Sequence, residues 1–135
     1  MKLKNETLSK NFLIYGFGKS GISSLKYLKK KNRCFIFDDD KKKIKNKYKK
    51  FFISKSKLLN NNFDYIVISP GININRCQLS NYLKKNQKKV ITDFDIFYKF
   101  NPEVLTITIT GTNGKSTTSK LLYDILKNHH YDTRL

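Results

Sequence analysis

The sequence predicts an α/β fold with a parallel sheet, on three observations. Short apolar runs alternate with helical periodicity from Asn11 onward. The connections between them are short, and such alternation places helices on both faces of a sheet wound by right-handed crossovers. Two glycine loops, at residues 16–21 and 111–116, each follow an apolar run and open a helical stretch.

The elements follow in order. "NFLIYGFG" is an apolar run ending in glycine, hence a buried strand and a tight turn. Ile22, Leu25 and Leu28 recur at helical spacing in "SGISSLKYLKKKN", with lysines opposite. "RCFIFDDD" is a second strand that stops on acid, "KKKIKNKYKKFF" a poor helix, and "SKSKLLNNN" a loop. "DYIVISPG" is the clearest strand, halted by Pro70 and Gly71. "CQLSNYLKKNQ" reads as a helix and "KVIT" as a short strand. "DFDIFYKF" reads as a last helix with Phe94, Phe97 and Tyr98 turned inward.

Asn101-Pro102 interrupts this pattern, because a residue before proline avoids helical geometry. A domain boundary is expected there, between residues 1–101 and 102–135. "VLTITIT" then opens a new strand, followed by a helix whose stripe of Leu121, Leu122, Ile125 and Leu126 needs a sheet beneath it. One strand and one helix cannot bury that stripe alone, so the second domain is expected to be incomplete in this chain.

Composition excludes several classes. At 135 residues there is room for one ordinary domain. No apolar run reaches the roughly 18 residues of a membrane span, and the N-terminus lacks the apolar core of a signal peptide. Cys34 and Cys77 lie far apart, without metal or redox spacing, and suit a reducing cytoplasm. The net charge of +18 raises the question of nucleic acid. It is nearly all lysine, with arginine only at positions 33, 76 and 134, and it is spread along the chain beside many asparagines. That distribution reads as a solvated surface, and neither a nucleic-acid nor a membrane partner is expected.

Gly16-Phe17-Gly18-Lys19-Ser20-Gly21 fits G-x-G-x-x-G between a strand and a helix, and makes the first domain Rossmann-like. The first glycine permits the turn, the second lets phosphate approach the backbone, and the third lets the helix pack on the strand. Asp38, ending the second strand, stands where an acid would meet a ribose or base edge. Gly111-Thr112-Asn113-Gly114-Lys115-Ser116 carries the G-K-[ST] end of a P-loop, although Ile109 stands where the full consensus has glycine. Backbone N–H groups would face phosphate oxygens, Lys115 would serve the β/γ-phosphates, and the Ser116 hydroxyl suits magnesium. The sequence thus predicts a Rossmann-like sheet domain followed by the first β–P-loop–α unit of a second one.

"TGTNGKST", "GFGKSGISSLKYL", "DYIVISPGI" and "ITDFDIF" together resemble the Mur ligases, ATP-dependent amino-acid ligases of peptidoglycan precursor synthesis. Within that family they look most like the branch that adds D-glutamate. The resemblance implies that the chain is the N-terminal piece of such an enzyme, cytoplasmic, monomeric at full length and inactive as a fragment. It implies UDP-N-acetylmuramoyl-L-alanine and D-glutamate as substrates, ATP and Mg2+ as cofactors, and an acyl phosphate on the way to the amide. Gly18, Lys19 and Ser20 would lie near the diphosphate, Asp38 near the uracil, and Ser69, Pro70 and Gly71 would shape the same pocket. Gly111, Thr112, Asn113, Gly114, Lys115, Ser116 and Thr117 would hold ATP, with Lys115 catalytic and Ser116 the metal ligand. The family often has a small hydroxyl and then a basic residue after the acid, whereas this chain has Asp39 and Asp40, with Lys41 one place late.

Two other readings stand beside this one. A non-enzymatic nucleotide-sensing module binding NAD or ATP would use the first loop and leave the second idle. The L-alanine-adding ligase typically has histidine where Asn113 stands. His129 and His130 are expected to end the last helix, where its dipole favours their protonation.

Overall fold

A computed structural model describes residues 9–40 and 46–135. The chain divides into two compact units, Met1–Pro102 and Glu103–Leu135.

The first unit runs β1 (Asn11–Tyr15), α1 (Lys19–Leu28), β2 (Arg33–Phe37), a 3-10 segment (Asn46–Phe51), α2 (Lys55–Leu59), β3 (Tyr65–Ile68), α3 (Ser80–Lys85), a 3-10 turn (Gln87–Lys89), β4 (Val90–Ile91) and α4 (Asp93–Phe100). The strands form one parallel sheet in the order β2-β1-β3-β4. Leu13 pairs with Phe35 on one side and Ile66 on the other, and Ile66 pairs with Val90. The chain leaves β1 toward one edge and later returns past it toward the other. In such sheets the crevice at that reversal, beyond the carboxyl ends of the strands, is where ligands bind.

Alternation along β1 splits the core in two. Phe12 and Ile14 face one side with Leu25 and Leu28 of α1, Ile36, Val67, Tyr48 and Ile96 of α4. Leu13 and Tyr15 face the other with Leu58, Phe63, Ile66, Leu79 and Leu83. A buried leucine such as Leu25 is worth about 2–5 kcal/mol against alanine, so each face is held by several such contacts. Phe12 stacks on Tyr65 at 5.1 Å, and Phe17 meets Tyr48 and Phe52 edge-on at 5.1 and 5.4 Å. Cys34 is buried, and that burial pushes its thiol up to about 11, which makes it a core residue.

The strand runs and helices α1, α3 and α4 of the first unit agree with the sequence pattern, and other expectations are corrected. "SKSKLLNNN" is not wholly loop: it contains α2, started by Ser54, whose hydroxyl accepts from the Lys57 N–H at 3.4 Å. Its Leu58 is fully buried, so one apolar anchor outweighs poor local propensity. Second, α4 buries Ile96, while Phe94 is 70% exposed and Phe97 and Tyr98 also face out. The start of the "KKKIKNKYKKFF" helix lies outside the described residues, and its remainder is the 3-10 segment. Third, residues 104–110 do not form the expected strand. A strand exists through its ladder, and among the described residues no sheet ladder includes this segment; Leu105 is 98% exposed.

In the second unit the helix forms as expected, α5 (Lys115–Asn128), and none of its residues is buried. Leu121, 60% exposed, and Ile125 belong to its uncovered stripe. His129 caps its C-terminus and His130 follows with φ 64°.

Candidate functional site

Two loops meet at the carboxyl edge of the sheet in the first unit, one after β1 and one after β3. The Gly16 N–H donates to the Phe37 carbonyl at 2.9 Å, so the turn begins tied to β2. Gly16 has φ +91°, and a Cβ there would lie 2.8 Å from that of Ser69. Ser69 occupies that space: its hydroxyl donates to the Gly16 carbonyl at 2.9 Å and its N–H to the Tyr15 carbonyl at 3.0 Å. Pro70 and Gly71 form the exposed tip of the following turn, closed by the Ile72 N–H on the Ser69 carbonyl at 3.0 Å.

The other two glycines differ in what surrounds them. A Cβ on Gly21 would sit 2.1 Å from the Gly16 carbonyl oxygen, so α1 approaches the turn as closely as a backbone can. A Cβ on Gly18 would meet nothing within 4 Å. Gly18 is the N-cap of α1, without a capping side chain, and Lys19 beside it is exposed. The first N–H groups of a helix have no partners within it, and they carry the positive end of its dipole. Gly18 therefore presents an open, electropositive step of backbone to solvent.

Asp38 is buried beneath this step. One carboxylate oxygen accepts the Phe17 N–H at 2.6 Å and the other the Asp40 N–H at 2.8 Å. The acid expected at a ligand's edge thus braces the loop's own backbone. Asp39, exposed, receives the hydroxyl of Tyr15 on both oxygens, at 2.8 and 2.9 Å. Burial, helped by the neighbouring Cys77 thiol and by Asp39, lifts the Tyr15 phenol far above its usual range. Ser20 turns toward α4, where its hydroxyl donates to the Asp93 carboxylate. The structure thus brings Gly18, Lys19, Ser20, Asp38, Ser69, Pro70 and Gly71 to one edge of the sheet.

Sequence reasoning missed Tyr15, Asp39 and Asp93 as partners in this edge. Asp93 was within reach: Thr92 and Asp95 make a capping box, the Thr92 hydroxyl accepting from the Asp95 N–H at 3.2 Å and Asp95 accepting the Thr92 N–H at 2.7 Å. That T-x-x-D spacing fixes where α4 begins, and so where Asp93 points. The Tyr15–Asp39 pair joins the end of β1 to the bend after β2 and leaves no local signal.

In the second unit Gly114 takes a left-handed conformation, φ 75°, as the N-cap of α5. The Lys115 ammonium folds back over the loop, donating to the carbonyls of Gly111 and, at 3.3 Å, Thr112. Ser116 and Thr117 lie exposed in the first turn, as do Thr112 and Asn113 in the loop.

The first unit is thus a Rossmann-like α/β domain with a glycine loop at the switch point of its parallel sheet. Residues 10–92 match the family model described as Mur ligase MurD-like, N-terminal domain, and the chain belongs to that family. It is 32% identical over 126 residues to the UDP-N-acetylmuramoylalanine–D-glutamate ligase of Rickettsia bellii (strain RML369-C), covering 90% of this chain and 28% of that protein. The enzyme of the same name from Caldicellulosiruptor saccharolyticus is 32% identical over 133 residues, 90% of this chain and 29% of the relative. That of Clostridioides difficile is 30% identical over 139 residues, 92% and 30%. The chain therefore spans under a third of the length of these relatives. No helix among the described residues is long and apolar enough to cross a membrane.

Proposed function

We propose that the chain is the opening part of an ATP-dependent ligase that adds D-glutamate to UDP-N-acetylmuramoyl-L-alanine. The observation that carries this reading is the succession of two glycine loops along a chain whose relatives are D-glutamate ligases over about 90% of its length. A dehydrogenase would leave the second loop without a task, and an ordinary P-loop ATPase the first domain.

In this reading residues 1–101 form the UDP-substrate domain and residues 102–135 begin the ATP-binding one. The open backbone at Gly18, with Lys19 and Ser20, receives the diphosphate, while Ser69, Pro70 and Gly71 wall the pocket from β3. Asp38 acts on the uracil end by fixing the loop from beneath. Asp39, exposed beside it, replaces the small hydroxyl usual in the family and leaves a carboxylate on that rim.

The second loop fits ATP and magnesium by its donor set. Gly111, Thr112, Asn113, Gly114 and Thr117 supply backbone N–H groups, and the left-handed Gly114 turns the chain so that the first turn of α5 faces the loop. Lys115 holds its charge over that loop and is the residue proposed to act on the phosphates, while Ser116 offers a hydroxyl to the metal. Bound ATP would supply the phosphoryl group that activates the alanyl carboxylate as an acyl phosphate, with magnesium offsetting the phosphate charge, and the D-glutamate amine would attack the acyl carbon and expel phosphate. What this chain provides is charge neutralisation and placement, the requirement of phosphoryl transfer.

The test is phosphate release by the protein that carries this chain at full length. Release is expected to require both UDP-N-acetylmuramoyl-L-alanine and D-glutamate. Release that is indifferent to either one would remove the reading.

A further inference from the structure

The bond between Ser20 and Asp93 joins residues 73 positions apart at the spot where α1 begins. Asp93 is the first residue of α4, and α4 is packed on α1 through Ile96, which shares a core with Leu25 and Leu28. The carboxylate is therefore held in place by the helix that carries it. Its other oxygen accepts from the Phe94 N–H at 3.2 Å.

A serine hydroxyl has one proton to donate, and a phosphate oxygen can only accept. The Asp93 carboxylate accepts the hydrogen bond that proton makes, so Ser20 offers lone pairs, not a donor, to an anion at the loop. The carboxylate also sets a negative charge beside the open backbone step of Gly18 and Lys19. Both effects oppose a diphosphate, and uridine, which carries no phosphate to place at the loop, meets neither.

We propose that Asp93 is an affinity-setting residue of the glycine-loop site, holding Ser20 in its non-donating orientation and weakening the hold on a diphosphate. This rests on the reading of the loop as a diphosphate site. An enzyme that must release a charged product gains from a cradle that is not too tight, and the second helix supplies the restraint.

Asn at position 93 keeps the size of the side chain, removes the charge and can donate its amide to the Ser20 oxygen, which frees the hydroxyl proton for phosphate. Calorimetric titration of the full-length protein with UDP and with uridine tests this, beside thermal melts to confirm folding. Asp93→Asn is expected to bind UDP about tenfold more tightly, the scale of one removed charge repulsion in a partly screened site. Uridine affinity is expected to stay unchanged, and Ser20→Ala to weaken UDP binding more in the Asp93→Asn background than in the parent chain. Equal or weaker UDP binding by Asp93→Asn, or additive effects of the two substitutions, would overturn the inference while leaving the site. Failure of the parent chain to bind UDP at all would overturn the site reading and the inference with it.

Discussion

Tyr15, with 0% of its surface exposed at the end of β1, donates its hydroxyl to Asp39 at the solvent edge, 2.8 and 2.9 Å from the two carboxylate oxygens. One side chain thereby connects the floor of the sheet to the rim of the site. The exposed acid that follows Asp38 is the one so anchored.

Replacing Tyr15 by Phe should cost about 1 kcal/mol in a denaturant titration, because the bond ends on an exposed acceptor and water can take over part of it. The pH dependence has a definite sign. The raised folded value means that the neutral phenol is the form the fold accepts. Its contribution is complete below the unfolded tyrosine value of about 10 and is lost as pH climbs toward the folded one. Ultraviolet titration should show Tyr15 ionising only after the exposed tyrosines, and Tyr15→Phe should flatten the alkaline fall in stability. A normal titration of all tyrosines would contradict the arrangement.

Gly18 and Gly21 should respond in opposite ways to alanine. At Gly21 the added carbon would meet the Gly16 carbonyl oxygen at 2.1 Å, and backbone cannot yield cheaply. A loss of about 3 kcal/mol or more is expected from thermal or chemical unfolding, at the upper end of overpacking effects. At Gly18 there is open space, so the fold should lose about 1 kcal/mol at most, the difference between glycine and alanine at an N-cap. UDP affinity should nevertheless fall for Gly18→Ala. A melting point lowered equally by both would refute the assignment of packing to one and access to the other.

Asp38 should behave as a brace. Asp38→Ala leaves the buried Phe17 N–H without its acceptor, at a cost of about 2–3 kcal/mol. Hydrogen exchange at the Phe17 and Asp40 amides should accelerate, with the β1 amides little changed. Loss of ligand binding with no change in those amides would show a direct ligand role instead.

Thr92→Ala should remove the capping box of α4 and lower stability by about 1 kcal/mol. The Thr92 backbone N–H, and then its hydroxyl, hold the Asp95 carboxyl below its usual range. A lowered value stabilises above the unfolded carboxylate range near 4 and is lost as pH falls through the folded value. The penalty of Thr92→Ala should therefore shrink on acidification below pH ~4. An unchanged penalty there would count against the reciprocal cap.

Much of this was legible in the residues. Strand runs such as "DYIVISPG" carry their own boundaries, and the glycine spacing at residues 16–21 marks the tight turn at Gly16 and the close helix approach at Gly21 that their surroundings show. What the pattern could not supply was which face of a short helix turns inward. Aromatic size favoured Phe94, Phe97 and Tyr98, but the cap at Thr92 sets the rotation of α4 and puts Ile96 in the core. Residues 104–110 fail for a different reason: alternation gives a segment the capacity to be a strand, and only a neighbouring strand makes it one. The Ser20–Asp93 and Tyr15–Asp39 bonds depend on the crossing of distant elements, which spacing along the chain does not encode.

The proposed function requires two phosphate sites with separate tasks, and Lys115→Ala in the full-length protein separates them. Titrated with UDP-N-acetylmuramoyl-L-alanine, that variant should bind the substrate with the affinity of the parent while its phosphate release is abolished. Loss of substrate binding in parallel with turnover, or turnover that survives the substitution, would contradict it.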